Sequence, residues 1–276
     1  MKAKKILYIT SAMSPFVQNS ASADFGKELP KAIQENNHEI RTFTPKWGVI
    51  NERRNQLHEV IRLSGMNIVI DETDHPLIIK VASLPQARMQ IYFIDNDDYF
   101  MKRKINEDEK GVPYPDNGER AVFYARGVLE TVRKLKWVPD IIHCQGWISA
   151  VAPLYIKTAY KDDPSYANCK VVYSATYPEF EIDFTEHLID CLMFKDVDKS
   201  ALKKVFNKRF EFDDLQKLAI KYSDGLILDD KNVSRRVVDY AKRRKIPVLQ
   251  SKAKEDFANT YSDFYDLVFE GNIQEG

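Results

Sequence analysis

Short apolar runs separated by stretches of helical period set out the plan of this chain. Lys5-Ile6-Leu7-Tyr8-Ile9-Thr10 reads as a first buried strand. Phe25, Leu29, Ala32 and Ile33 then recur at the i, i+4, i+7, i+8 spacing of one helix face. Glu39–Phe43 reads as a second strand, ended by Pro45. From 66 to 95 the pattern changes to short β-like runs, Ile68–Ile70, Leu77–Val81 and Met89–Ile94, separated by turn residues. Residues 104 to 118 are charged, contain Gly and Pro, and read as a loop. Asn117 is placed to cap a long helix whose apolar stripe is Val122, Ala125, Leu129, Val132 and Leu135. Ile141-Ile142 makes a short strand, followed by a helix over about Ile148–Thr158 and the strand Lys170–Ser174. Beyond a charged stretch come a helix near Asp213–Tyr222, the strand Gly225–Leu228, a helix near Asn232–Arg243 and the strand Pro247–Leu249. Lys252–Phe269 carries Phe257, Tyr261, Phe264, Leu267 and Val268 at helical spacing, a terminal helix expected to pack back on the domain.

This alternation predicts an α/β fold: one doubly wound, mostly parallel, Rossmann-like domain with a small β-rich insertion at about 66–95. The domain is expected over 1–250, with a C-terminal helix and tail over 251–276. Ligands on such sheets bind beyond the carboxyl ends of the strands, at Ser11–Ala23, Thr44–Gly48, His143–Trp147 and Ser174–Phe180.

Composition narrows the partners. Lys plus Arg and Asp plus Glu are 41 each, so the net charge is zero. That leaves no basic footprint for nucleic acid or an anionic membrane. No apolar run reaches the roughly 18 residues of a membrane span, and the apolar run after Met1-Lys2-Ala3-Lys4-Lys5 is too short for a signal peptide. Three widely spaced cysteines, Cys144, Cys169 and Cys191, suit a reducing cytoplasm, with no disulfide framework and no metal-binding pattern. The expectation is a cytoplasmic protein without metal or cofactor.

Three constellations could carry chemistry. His143-Cys144-Gln145-Gly146-Trp147 follows a strand; its histidine is an acid, base or ligand, or it satisfies a backbone group with Trp147 packed beneath. Asp95-Asn96-Asp97-Asp98-Tyr99 clusters carboxylates suited to a metal or to sugar hydroxyls, or forms a solvated turn. Tyr177-Pro178-Glu179-Phe180-Glu181 carries two carboxylates without a histidine or cysteine spaced for a metal. Phosphate-loop, nucleophile-elbow and zinc-protease motifs do not occur.

Five stretches in order resemble the N-terminal domain of bacterial glycogen synthases and plant starch synthases, over most of residues 5 to 240. "SAMSPFVQNSASADFGKELPKAI" is similar to the family opening S-E-x-x-P-F-x-K-x-G-G-L-A-D-V-x-x-x-L-P-x-A-L, and "HEIRTFTPKWG" to G-H-x-V-x-V-x-x-P-x-Y. "YFIDNDDYF" resembles Y-F-x-D-x-P-x-Y-F, "WVPDIIHCQGWISAVAPLYIK" resembles W-x-P-D-I-x-H-x-H-D-W-x-x-A-L-x-P-x-Y-L, and "YSDGLILDDKNV" resembles Y-A-D-x-x-x-T-V-S. The resemblance implies the N-terminal half of a GT-B glycosyltransferase, in a family that transfers glucose from ADP-glucose to an α-1,4-glucan. In the family the donor binds mainly to a C-terminal domain, which has no counterpart in this sequence.

Several positions depart from the family. Its lysine falls on Gln18, its two glycines on Ser20 and Ala21, and its leucine on Ser22, while Asp24 is kept. In H-x-H-D-W, His143 and Trp147 are kept, but the second histidine is Gln145 and the aspartate Gly146. The active-site histidine and asparagine of T-x-H-N fall on Thr176 and Tyr177. Charge stabilisation of a departing group is a large catalytic term, so no catalytic residues are assigned; Gln18, Ala21 and Thr176 mark degenerate positions. Substrate-binding candidates are Asn19, Asp24, Asp95, Tyr99, His143, Gln145, Trp147 and Tyr177. Three readings stand: a glucan-binding or regulatory relative of the synthases, with ADP-glucose bound weakly or not at all; a working synthase subunit whose donor domain comes from a partner chain or a homo-dimer; and a non-catalytic scaffold.

Overall fold

A computed structural model of the protein describes residues 3–18, 20–84, 87, 89–177, 183–184, 186–206, 210–228, 232–251 and 257–271. In chain order the elements are β1 (Lys5–Thr10), α1 (Ala21–Glu35), β2 (Glu39–Pro45), β3 (His58–Glu59), β4 (Met66–Ile70), β5 (Thr73–Leu84), β6 (Met89–Asp95), α2 (Asp97–Phe100) and α3 (Asn117–Lys134). They continue with β7 (Ile141–Gln145), a 3-10 turn at Trp147–Ser149, α4 (Ala152–Lys157), β8 (Lys170–Ala175), β9 (Asp183–Phe184), α5 (His187–Leu192), α6 (Lys199–Val205) and β10 (Phe210–Glu211). The last are α7 (Phe212–Lys221), β11 (Gly225–Leu228), α8 (Arg235–Arg244), β12 (Val248–Gln250) and α9 (Phe257–Glu270).

The main sheet runs β12-β11-β8-β7-β1-β2-β6-β5-β3, with β4 paired to β5. Every pair from β12 to β6 is parallel. The apolar runs explain this: β1, β7 and β8 are buried on both faces, as strands covered by helices must be. The β-rich stretch is built onto the same sheet. Its last strand, β6, joins β2 in parallel; β5 then pairs antiparallel with β6, β4 and β3. A two-residue turn, Asp71-Glu72, joins β4 to β5, with both residues at positive φ as a tight hairpin requires.

The chain leaves β1 toward β2 on one side and returns through β7 on the other. The crevice at the C-terminal ends of β1 and β7 is therefore the switch point where doubly wound sheets hold ligands. Two packing features shape it. The first is Arg120, buried on α3, whose Nη1 donates to the carbonyl of Ile105 (2.8 Å) and to Asn117 Oδ1 (2.6 Å). Asn117 Nδ2 donates to the carbonyl of Asn106 (2.8 Å), so the 104–118 loop is pinned over the crevice. Asn117 therefore does not cap α3: the cap position is Asp116, which makes no side-chain cap bond. The second is α9, which packs on α1 through Asn36 to Asn259 and Ser262, and through Phe25 against Phe257. Val268 and Phe264 approach the backbone at Gly225, where any side chain would meet them. Among the described residues, no helix is long and apolar enough to cross a membrane.

Candidate functional site

A cavity of about 630 Å³ opens at this switch point. Ser11 and Ala12 follow β1; Ser20, Ala21, Ser22 and Phe25 come from the start of α1; Ile105 and Asn106 come from the pinned loop; Gln145 ends β7; Thr176 and Tyr177 follow β8. None of these carries a formal charge at neutral pH. A second cavity of about 540 Å³ shares Ile105 and is lined by Gln18, Arg54, Asn51 and Asn55 among others.

Local chemistry holds this lining in place. Ser20 caps α1, its Oγ accepting from the Ala23 amide (3.3 Å), which satisfies one of the free donors of the first turn. Gln145 Oε1 accepts from the Tyr8 hydroxyl and lies 3.1 Å from Thr10 Oγ1, so its carboxamide is fixed at the floor. The Thr176 amide donates to Gln216 Oε1 (3.0 Å) from α7. Gly146 stands at φ +82°, and a Cβ there would come 2.9 Å from Ser11 Cβ. A side chain at this position therefore requires Ser11 or the turn to shift.

Of the sequence candidates, Ala21, Gln145, Thr176 and Tyr177 line the main cavity and Gln18 lines its neighbour. Asp24 is exposed on α1 and lines neither. Asn19 lies outside the described residues.

The other four are buried and line neither cavity. His143 shares a strand face with Gln145 but sits two residues deeper, where Tyr265 of α9 covers it. Its Nδ1 lies 2.7 Å from the Tyr265 hydroxyl and its Nε2 2.7 Å from Ser174 Oγ. Burial pushes its pKa down to about 3, so it is a neutral core histidine. Trp147 is fully buried, its indole N–H donating to Asn106 Oδ1 (3.0 Å), so it supports a residue of the cavity lining. Asp95 is buried and paired with Lys80 (2.8 Å). Tyr99 is buried, its hydroxyl held by Glu119 and His75, and burial drives its pKa well above the usual phenol value. The acidic run is thus divided: Asn96 caps α2 by accepting from the Asp98 and Tyr99 amides, Asp95 and Tyr99 are buried, and Asp97 and Asp98 remain exposed.

Three of the four strand-end stretches meet at the cavity. The fourth, Thr44–Gly48, is packed beneath it, with the Trp47 indole donating to the Ser11 carbonyl (2.6 Å). Ser11, Ser20 and Ser22 were findable as members of a strand-end turn, whereas Phe25 was read as part of the apolar face of α1. Ile105 and Asn106 had no such signal, because they arrive from a loop held by Arg120.

A family model described as the starch synthase catalytic domain matches residues 5–242. The glycogen synthase of Chlorobium luteolum is 40% identical over 169 residues, covering 61% of this chain and 35% of its own length. That of Pelodictyon phaeoclathratiforme is 39% identical over 171 residues, covering 62% and 35%. The chain thus spans about a third of the length of the curated relatives it matches. Among solved structures, the catalytic domain of starch synthase IV from Arabidopsis thaliana, bound to ADP and acarbose, superposes with a TM-score of 0.66 at 16% identity. That match covers 96% of this chain and 50% of the other, and the likeness is one of fold.

Proposed function

The chain belongs to the starch synthase catalytic-domain family, and from that premise we propose that it binds α-1,4-glucan in the switch-point cavity without transferring glucose by itself. The observation that carries the reading is the neutrality of the cavity. Among the described residues its lining is made of hydroxyls, carboxamides, apolar groups and two aromatic rings, with no cation among them.

A nucleoside diphosphate sugar brings negative charge that must be desolvated, and an unpaired buried charge costs several kcal/mol or more. A neutral glucan brings hydroxyls, which serine, glutamine, asparagine and threonine side chains match as both donors and acceptors. Tyr177, 57% exposed at the rim, offers an aromatic face to the apolar side of a sugar ring. The family lysine position is Gln18, and the glycine positions Ser20 and Ala21 present side chains where the family brings bare backbone. These substitutions favour holding glucan over stabilising a departing diphosphate.

The test is the purified chain with labelled ADP-glucose and glycogen, beside a glycogen synthase control, together with maltoheptaose titration. The expected result is glucan binding without transfer. Tyr177→Ala should weaken maltoheptaose binding about tenfold, or ~1.4 kcal/mol. Transfer by the chain alone would overturn the reading. Transfer only on mixing with a second chain would favour a two-chain synthase, and absence of glucan binding would favour a scaffold.

A further inference from the structure

Among the described residues, and outside those that line the two cavities, sulfur, nitrogen and oxygen donors converge where α3 meets α5. Glu119, His187 and Cys191 each offer a ligand atom, and these atoms lie within 4.8 Å of one another. His187 and Cys191 are one turn apart on α5 and so share a face. Glu119 comes from the first turn of α3. The two helices meet closely because residue 118 is glycine: a Cβ there would stand 2.8 Å from Leu188 Cδ1.

The surrounding contacts have the form of a built coordination shell. His187 Nε2 lies 3.6 Å from Glu119 Oε1, while its Nδ1 lies 3.7 Å from Asp71 Oδ2 in the β4–β5 turn. One ring nitrogen thus faces the candidate ligands and the other faces a carboxylate at ion-pair distance, the side from which a metal-binding histidine is oriented. Glu119 is held in the same way. Its Oε2 accepts from the Tyr99 hydroxyl (3.0 Å), which lies 3.0 Å from His75 Nε2, and its Oε1 is turned toward His187. Bonds of about 2.0–2.3 Å to nitrogen, oxygen and sulfur imply ligand–ligand separations of about 3.3–3.8 Å in a tetrahedron. The Glu119–His187 separation already falls in that range.

From this geometry we infer that Glu119, His187 and Cys191 form a binding site for a borderline-soft divalent cation of the zinc class, with Asp71 orienting His187. A thiolate and an imidazole beside one carboxylate suit zinc or cobalt over magnesium or calcium, which take oxygen shells. On coordination the Cys191 thiol gives its proton to solvent, and the fourth position is left for water. Bound metal would lock α5 to the start of α3. His187 is half-exposed, so the site is open to ions from solution.

The experiment is titration of the chelator-stripped full chain with CoCl₂, followed by competition with ZnCl₂. The expected result is one equivalent of tetrahedral cobalt with a thiolate charge-transfer band, displaced by zinc. Cys191→Ser should remove the band. Asp71→Asn should keep it and weaken affinity about 10–100-fold. Because Cys191 is buried, His187→Gln provides the second arm: half-exposed, it should leave the far-ultraviolet dichroism unchanged and still lose at least tenfold in cobalt affinity. Absence of the band in the wild-type chain, its survival in Cys191→Ser, or unaltered affinity in His187→Gln would overturn the site.

Discussion

Acidification should destabilise this protein through one residue that the fold has sealed away. His143 is fully buried between the Ser174 hydroxyl and the Tyr265 hydroxyl, and burial pushes its pKa down to about 3. A neutral imidazole has one donor and one acceptor nitrogen, which two hydroxyls can satisfy; an imidazolium would present two donors and an uncompensated buried charge. In the unfolded chain the same ring titrates near 6.5. Between these values the unfolded state binds more protons, so stability is full above pH 6.5 and falls as pH drops toward 3. The slope is about 1.4 kcal/mol per pH unit, which makes the loss between pH 7.5 and 4.5 roughly 2–3 kcal/mol. Urea unfolding of wild type and His143→Gln at pH 7.5, 6.0 and 4.5 isolates the term, since other acid-sensitive groups are common to both. The variant should be less stable at pH 7.5, yet its curve should be flatter by that 2–3 kcal/mol. Parallel pH curves, or a histidine resonance titrating near pH 6 that is lost in the variant, would refute the reasoning.

Two further substitutions probe the frame of the cavity. Trp147→Ala should lower unfolding stability by about 3–5 kcal/mol in urea melts, as removal of a buried indole does; a variant of wild-type stability that has lost only glucan binding would place the ring in the site instead. Gly146→Asp should destabilise by about 2–4 kcal/mol, through its left-handed backbone and the contact with Ser11, with Ser11→Gly recovering the contact part alone. An unchanged thermal midpoint for the single variant would show that the turn accommodates the family's aspartate.

Where side chains alternate between exposure and burial at a fixed period, or stay apolar over a whole run, the chain by itself determined the outcome. The strands β1, β2, β7, β8 and β11, the helices α1, α3 and α7, and the parallel order they imply all follow from such runs, because burial of apolar area is local in its demand and insensitive to partners. The short helices α5 and α6 escaped that reading, being too brief to show a period. The position of the cavity was also legible, since ligands gather where parallel strands end.

What the sequence left undetermined was which polar residues face solvent and which face the core. His143 and Gln145 are both polar and share a strand face, yet α9, arriving more than a hundred residues later, covers one and leaves the other at the cavity floor. Asp95 and Tyr99 looked like an open acidic turn until Lys80, Glu119 and His75 closed on them. Asn106 entered the site only because Arg120 on α3 anchors its loop, and Glu119, His187 and Cys191 met only because Gly118 lets two helices touch. Each depends on contacts between residues far apart in the chain, and such contacts leave no period in the sequence. Tertiary packing therefore decided which of the candidate side chains reach the cavity.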